Sequence, residues 1–568
     1  MNLCLCCINS KYVHSSLAPW YLAAALQGVE NCQVSIVEAT INQKEEEIIQ
    51  KILHNRLEAV AFCCYIWNIE MVHSIVTRFH ALRPEIPIIL GGPEVTFRSR
   101  EILQQWPEVS YVICGEGEES LPALVKAWEQ YENPQGIPGI AGRMPEGRLF
   151  YTPAEPLSTL PPDPYSEQYL ATLQGRIAYL ETTRGCPFSC SFCLSGVKEK
   201  VRFFDLEQSK RNLVKLANSG AKTVKFIDRT FNCHPARAYE LVAFILEQSG
   251  KAFPRDVRFH FEVGADLFEP RFVELLSTAP PGLLQIEAGL QSFHAETLEA
   301  VDRKTDLQRL INNLKACIQP HNVHVHIDLI AGLPYEDYQT FAKSFDQAFA
   351  LRPHMLQLGF LKLLYGSKIR RQAEEIPEFG YCFSSKAPYE VQKTHWISQH
   401  ELEKLHEVED ALERMYNSGR FLQTLDYLLQ VTEWSPFALF EAFGHYAKQQ
   451  GVAAGICLDT YTEWIWRFFK QQSGVQPEKL RDCLVMDRLS CDNTGRIPPL
   501  LRREDHRLKY AKQKARKLFP DQGKLGVALL YHPWRIAVFD YRDWDVITGR
   551  YAMHVFDDED IEKMGREK

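Results

Sequence analysis

The 568-residue sequence has no apolar run approaching the roughly 20 residues that span a bilayer, so nothing in it reads as a membrane-crossing helix. The opening residues, Met1-Asn2-Leu3-Cys4-Leu5-Cys6-Cys7, lack a basic stretch and soon turn polar. They are expected to form a first strand, not a signal peptide. An excess of positive charge is also missing: the net charge of −8 gives no global attraction to nucleic acid or anionic lipid. No internal repeat or low-complexity tract stands out, which argues against a solenoid or a disordered protein. Sixteen cysteines in so long a chain are not a disulfide framework. They fit a reducing, cytoplasmic setting in which most thiols act as small buried hydrophobes. What is present, 45% hydrophobic and 24% charged residues, is the composition of an ordinary globular protein, long enough for about three to four domains.

The expected fold class is α/β. Over 1–135, short apolar strands at 3–8, 34–38, 59–65, 86–90 and 111–114 alternate with helices at 17–26, 45–53, 71–82, 99–106 and 120–131. That alternation predicts a doubly wound parallel sheet. Ligands in such sheets lie beyond the carboxyl ends of the strands, where 9–16, Gly91-Gly92 and Gly115-Glu116-Gly117-Glu118 fall. Glycine there either lets a ligand approach the backbone or simply makes a tight turn. Residues 136–175 are rich in proline and glycine and read as a linker with strand-like pieces. From 176 to 370 a second series runs through strands at 177–182, 223–228, 258–263, 283–288, 323–331 and 355–361 with helices between them. Six βα units predict a partial (βα)6 barrel with reacting groups at the carboxyl ends of its strands. Residues 371–568 form a mainly helical extension ending in strands. A long charged helix is expected at 397–418, strands at 524–541 and 552–556, and a charged tail at 557–568 that frays. The basic stretch 502–517 has little aromatic interleaving and reads as a solvated helix face instead of a nucleic-acid patch.

The most informative residues are Cys186, Cys190 and Cys193, spaced C-x3-C-x2-C in the loop that follows the first strand of the second series. Three thiolates in one tight loop can hold three irons of a [4Fe–4S] cluster and leave the fourth without a protein ligand. That makes sense where a substrate or cosubstrate must bind the open iron. The competing reading is zinc, which normally wants a fourth ligand and often paired C-x2-C units.

This spacing, with Phe192 just before the last cysteine, resembles that of the radical S-adenosylmethionine (SAM) superfamily. The resemblance continues at the ends of later strands: Asp228 in Phe226-Ile227-Asp228-Arg229-Thr230-Phe231-Asn232, then Glu262, then Ile286-Glu287-Ala288-Gly289-Leu290-Gln291-Ser292, then Asp328 to Pro334. It implies that the open iron chelates SAM and that Phe192, Asp228, Glu262, Glu287, Gln291 and Ser292 lie around it. Read from the residues alone, Glu287 is equally a salt-bridged barrel carboxylate. The amino-terminal series resembles the cobalamin-binding domain joined to such barrels (the class B type), through Gly91-Gly92-Pro93-Glu94 and Val112-Ile113-Cys114-Gly115-Glu116-Gly117-Glu118. This implies cobalamin at the carboxyl edge of the sheet, near Gly91, Gly92, Gly115 and Glu116. The D-x-H-x-x-G motif that supplies a cobalt-ligating histidine in many such domains is absent. His14 stands in the right loop without its aspartate or glycine. The remainder resembles an uncharacterised extension found in one subgroup.

The resemblance thus implies an enzyme with a [4Fe–4S] cluster, SAM and cobalamin. It would cleave SAM reductively to a 5′-deoxyadenosyl radical, abstract hydrogen from an unactivated carbon and transfer a methyl group. An external electron donor such as flavodoxin or ferredoxin would supply electrons, and the substrate would be a small molecule or peptide. Other readings stay open at this point: cyclisation or rearrangement, a sheet domain that binds substrate without cobalamin, and a binding protein with a structural cluster.

Overall fold

The computed structural model describes residues 1–557 apart from 145, 197–199, 452–454 and 521–522. All but the first residue of the tail expected to fray lies outside the described residues. The chain divides into two compact units. One comprises Met1–Leu275, Val301–Lys304 and Leu361–Gln392, and the other the remaining segments.

The first unit opens with a seven-stranded sheet: β1 (Asn2–Asn9), β2 (Gln33–Thr40), β3 (Ala59–Cys63), β4 (Ile88–Gly91), β5 (Tyr111–Ile113), β6 (Ile140–Arg143) and β7 (Leu149–Tyr151), in the order β2-β1-β3-β4-β5-β6-β7. The first five strands are parallel. Their unbroken apolar runs follow from helices covering both faces. Along β1, Cys4, Cys6 and Ile8 pack into one core with Val60 and Phe62. Leu3 and Leu5 pack into the opposite core with Ala59 and Ala61. The chain leaves β1 for β2 on one side and takes up β3 on the other. A crevice therefore opens at the carboxyl ends of β1 and β3, the position at which doubly wound sheets bind ligands. Strands β6 and β7 fall in the stretch read from sequence as a linker. They extend the sheet antiparallel beyond β5, so it is mixed at that edge. A short turn suffices for such a pair, whereas a parallel pair needs a long crossover.

The same unit continues with β8 (Ile177–Leu180), β9 (Thr183–Arg184), β10 (Arg202–Phe203), β11 (Thr223–Phe226) and β12 (Arg258–Val263). Strands β8, β11 and β12 are parallel, linked by helices Leu206–Ala217 and Pro235–Gln248. Strands β9 and β10 form an antiparallel hairpin whose loop carries the three cysteines. The rings of Phe226, Phe231 and Phe261, with centroids 4.4–5.1 Å apart, fix the inner packing.

The second unit carries the next three βα repeats: parallel β13 (Leu284–Gln291), β14 (His324–Ala331) and β15 (Met355–Phe360) with helices Leu307–Ile318 and Tyr338–Ala350. Alternate residues of β13 and β14 are buried and half-buried, which puts Glu287, Gln291, His326 and Asp328 on the less buried face. Beyond these repeats come, among the described residues, six α-helices and a three-stranded antiparallel sheet. The helix expected at 397–418 is α-helical over Gln399–Leu412, started by a Ser398–Glu401 capping box, and continues as a π-helical turn over Glu413–Asn417. The strand-forming stretch expected at 524–541 is a hairpin, Leu525–Tyr531 and Trp534–Asp545, turned at His532-Pro533. Arg507–Leu518, within the basic stretch, is a helix that buries Ala511 and Ala515 against Leu529 and Val538.

Candidate functional site

The cysteine loop begins where Gly185 adopts φ +98°, a left-handed conformation that glycine takes without strain. The Cys193 N–H donates to the Cys190 carbonyl at 3.0 Å, closing a turn. The Ser191 backbone is held on both sides: its N–H donates to Val301 and its carbonyl accepts from Ile369, each at 2.9 Å. Each sulfur has a polar group nearby. Thr230 Oγ1 lies 3.5 Å from Cys186 Sγ, Arg303 Nη1 lies 3.5 Å from Cys190 Sγ, and the Ser195 N–H lies 3.4 Å from Cys193 Sγ. Burial pushes the Cys190 thiol up and the Arg303 guanidinium pulls it back. Donors and positive charge at cluster sulfurs are what tune such a centre. Tetrahedral zinc ligands at about 2.3 Å from the metal lie about 3.8 Å apart. Among the described residues, three ligand atoms come within 4.8 Å of one another only at Glu287, His326 and Asp328. That group does not include the cysteines.

Asp228, at the end of β11, is fully buried. Its Oδ1 accepts the N–H groups of Thr182 and Thr183 at 2.7 and 3.0 Å, and its Oδ2 accepts the Thr182 hydroxyl at 2.5 Å. Burial pushes its carboxyl up to about 6 against these hydrogen bonds. In this structure the carboxylate clamps the chain entering the cysteine hairpin.

Arg184, two residues before Cys186, is the hub of a carboxylate network. It meets Glu116, Glu118 and Glu181 at 2.8 Å each, and Arg202 of the same hairpin meets Glu116 at 2.6 Å. Burial alone would raise the Glu116 carboxyl, but the Arg202 and Arg184 guanidiniums outweigh it and hold it below the ordinary value. Glu116 therefore ties the β5 loop of the first sheet to the cysteine hairpin.

A cavity of ≈730 Å³ lies at the carboxyl ends of β1, β3, β4 and β5. Its walls include Asn9, His14, Gly91 and Glu116 from the first sheet, and Arg184, Leu194 and Ser195 beside the cysteines. Gly92 has φ +111°, and a Cβ there would fall 2.5 Å from the Cys64 carbonyl oxygen. Gly115 has φ +77°. Both glycines are demanded by their own turns. Gly91 is different: a Cβ there meets nothing closer than Ile113 at 3.8 Å. No neighbouring atom requires glycine at this position, and an added side chain would project into the cavity. His14 is half-buried, and burial with nearby Lys11, Lys225 and Arg176 holds its imidazole below the ordinary value. Its Nδ1 lies 2.7 Å from the Tyr179 hydroxyl.

The remaining predicted residues divide between the units. In the first, Phe192 is half-buried in the cysteine loop, and Glu262 pairs with Lys225 at 3.3 Å. In the second, Glu287 shares its cluster with His326 and Asp328, which pair at 2.9 Å. Gln291 sits at a bulge with φ +74° and a buried Oε1 that has no hydrogen-bond partner among the described residues. Ser292 donates to Glu336 at 2.6 Å in a buried polar cluster. Sequence reasoning missed Arg303, Arg184, Tyr179 and His326. Arg184 flanks the cysteines, and that adjacency was a usable signal. Arg303 lies over a hundred residues from its sulfur, with no local pattern to mark it.

The fold and the three-cysteine loop define a radical SAM protein. A radical SAM superfamily domain matches residues 180–348, a B12 binding domain matches 4–125, and a domain described as a protein of unknown function (DUF4080) matches 377–525. The chain is thus a B12-binding-domain-containing radical SAM protein with a DUF4080 carboxyl-terminal domain. It is similar to 2-(S-pantetheinyl)-carbapenam-3-carboxylate methyltransferase of Streptantibioticus cattleyicolor, 26% identical over 300 residues, covering 50% of this chain and 44% of that protein. It is also similar to the cobalamin-dependent radical SAM methyltransferase TokK of Streptomyces tokunonensis, 27% identical over 301 residues with the same coverage. The match therefore spans less than half the length of these relatives. Among solved structures, the cobalamin-dependent SAM radical enzyme OxsB with aqua-cobalamin and SAM bound shares the fold, with TM-score 0.58, 13% identity, and coverage of 86% of this chain and 79% of OxsB. Among the described residues no helix is long and apolar enough to cross a membrane.

Proposed function

We propose that this chain is a cobalamin-dependent radical SAM enzyme of the reducing cytoplasm that methylates an unactivated carbon of a small-molecule or peptide substrate. One observation carries the reading: the cysteine loop at the end of β8 and the crevice of the first sheet share one cavity wall in a single compact unit. When bound, a [4Fe–4S] cluster and SAM supply a hydrogen-abstracting radical, and cobalamin supplies a methyl group. Cys186, Cys190 and Cys193 are the cluster ligands. Arg303 and the Ser195 N–H donate toward the Cys190 and Cys193 sulfurs, and the Thr230 hydroxyl lies beside Cys186. Asp228 and the Arg184–Glu116 network hold the hairpin that presents them. Gly91 leaves room for a large ligand at the sheet edge. Glu262, Glu287 and Gln291, with half-buried side chains at barrel strand ends, are assigned to SAM. Electrons come from an external donor such as flavodoxin or ferredoxin. The curated relatives named as methyltransferases favour methyl transfer.

The test is anaerobic reconstitution with iron, sulfide and cobalamin, followed by mass spectrometry of the SAM products. 5′-Deoxyadenosine together with S-adenosylhomocysteine is expected. 5′-Deoxyadenosine alone indicates cyclisation or rearrangement, and neither product indicates a binding protein. A visible spectrum without cobalamin bands indicates that the first sheet binds something else.

A further inference from the structure

A second cavity, of ≈760 Å³, lies in the first unit against the cysteine hairpin and shares Leu194, Ile227 and Arg229 with the first. Four arginines line it, Arg98, Arg100, Arg184 and Arg229, against one carboxylate, Glu181. This is a local surplus of positive charge in a chain whose net charge is −8. Two of the four are engaged by acids: Arg98 meets Glu94 at 2.9 Å, and Arg184 meets three glutamates. The guanidinium groups of Arg100 and Arg229 have neither an ion pair nor a hydrogen bond among the described residues. Both are exposed. Arg100 stands 5.8 Å over the Tyr151 ring, which is 40% exposed, and Phe97 on the same wall is 48% exposed. Guanidiniums without acidic partners beside partly exposed aromatic rings make a site for a ligand with an anionic end and an apolar body, because a guanidinium matches carboxylate and phosphate geometry bidentately.

We infer that this cavity receives the substrate, that Arg229 and Arg100 grip a carboxylate or phosphate on it, and that Phe97 and Tyr151 cover its apolar part. The inference rests on the radical SAM reading above and supplies a substrate class: an anionic compound with an apolar portion. Arg229 borders both cavities, so an anion held there brings the rest of the molecule to the wall formed by Leu194, next to the cysteines. The SAM carboxylate and the cobalamin phosphate are the other sources of such an anion, and the test separates them.

The probe is phenylacetate, with phenylacetamide as its uncharged counterpart, titrated calorimetrically into the reconstituted full-length holoenzyme. Phenylacetate is expected to bind at least about tenfold more tightly than the amide. Arg229→Gln and Arg100→Gln should each weaken it roughly ten- to a hundredfold, and Arg229→Lys should weaken it less. SAM affinity and the cobalamin spectrum should not change in these variants. Equal binding of acid and amide, or Gln variants that bind phenylacetate normally, overturns the inference. A fall in SAM affinity in Arg229→Gln assigns the anion to SAM, and loss of cobalamin assigns it to the cobalamin phosphate; either result also overturns it. Iron content and deoxyadenosine formation, read on the same unsubstituted samples, report the radical SAM reading separately.

Discussion

Replacing Asp228 separates two roles for one carboxylate: a clamp on the chain entering the cysteine hairpin, or a contact to SAM. The structure gives the clamp three hydrogen bonds from Thr182 and Thr183. Bonds to a charged acceptor contribute about 1.5–3 kcal/mol each. Against them stands the cost of burying the charge. The folded carboxyl keeps its proton up to about pH 6, whereas its ordinary value is 3.8. That difference corresponds to about 3 kcal/mol. Between these values the folded state binds more protons than the unfolded one, so this contribution to stability is full below about pH 4 and is lost as the pH rises through 6. At pH 7, Asp228→Ala leaves the buried N–H groups of Thr182 and Thr183 without an acceptor, at about 1–3 kcal/mol each, and should destabilise the hairpin by about 2–6 kcal/mol. Asp228→Asn keeps an oxygen for the two N–H groups, carries no buried charge, and should stay within about 1 kcal/mol of the parent. The assay is amide hydrogen exchange, followed by mass spectrometry, of the peptide spanning 181–186. The Ala variant should exchange at least about thirtyfold faster. The Asn variant should stay protected and lose the excess pH dependence between 4 and 6. Unchanged protection in Asp228→Ala refutes the clamp. An Asn variant as damaged as Ala would mean that the ionised carboxylate itself is needed, as a contact to the SAM amino group requires.

Cys190→Ala should abolish both iron retention and SAM cleavage, because three ligands are already the minimum, while Cys63→Ala and Cys317→Ala keep both; iron analysis after reconstitution decides. Glu287→Ala should leave iron in place and weaken SAM binding roughly ten- to a hundredfold by equilibrium titration; an unchanged dissociation constant restores the reading of Glu287 as a partner of His326 and Asp328 only. Cob(II)alamin bound to the protein should be base-off and give cobalt lines without nitrogen splitting in electron paramagnetic resonance, since His14 lacks the motif around it; triplets that vanish in His14→Ala would make it the axial ligand.

Much of the fold was legible because its determinants are local. The strands at 59–63 and 258–263 and the helices at 45–53, 307–318 and 338–350 carry unbroken or periodic apolar patterns that survive without context. What escaped depended on partners. Strands β6 and β7 are short pieces in a proline-rich stretch and become strands only by adding to the β5 edge. The turn inside the strand-forming stretch at 525–545 was not placed because its residues, His532 and Pro533, lack the usual glycine signature. The π-helical turn at 413–417 has no sequence mark. At the site, the cysteine spacing announced itself within eight residues. Asp228 and Glu116 were singled out by position, yet their side chains are engaged by Thr182, Arg184 and Arg202. Strand-end position identifies which residues reach the site, but it does not identify what each side chain meets there. Arg303, Tyr179 and His326 were invisible for the same reason: their roles exist only through contacts distant in sequence.

The central claim is that three cysteines hold a cluster with one iron open to SAM. Its most direct measurement is iron analysis and electron paramagnetic resonance of the anaerobically reconstituted, dithionite-reduced protein, recorded with and without SAM. The account predicts about four irons per chain and a reduced [4Fe–4S] signal whose shape changes when SAM is added. Zinc in place of iron, or a cluster signal indifferent to saturating SAM, would contradict it.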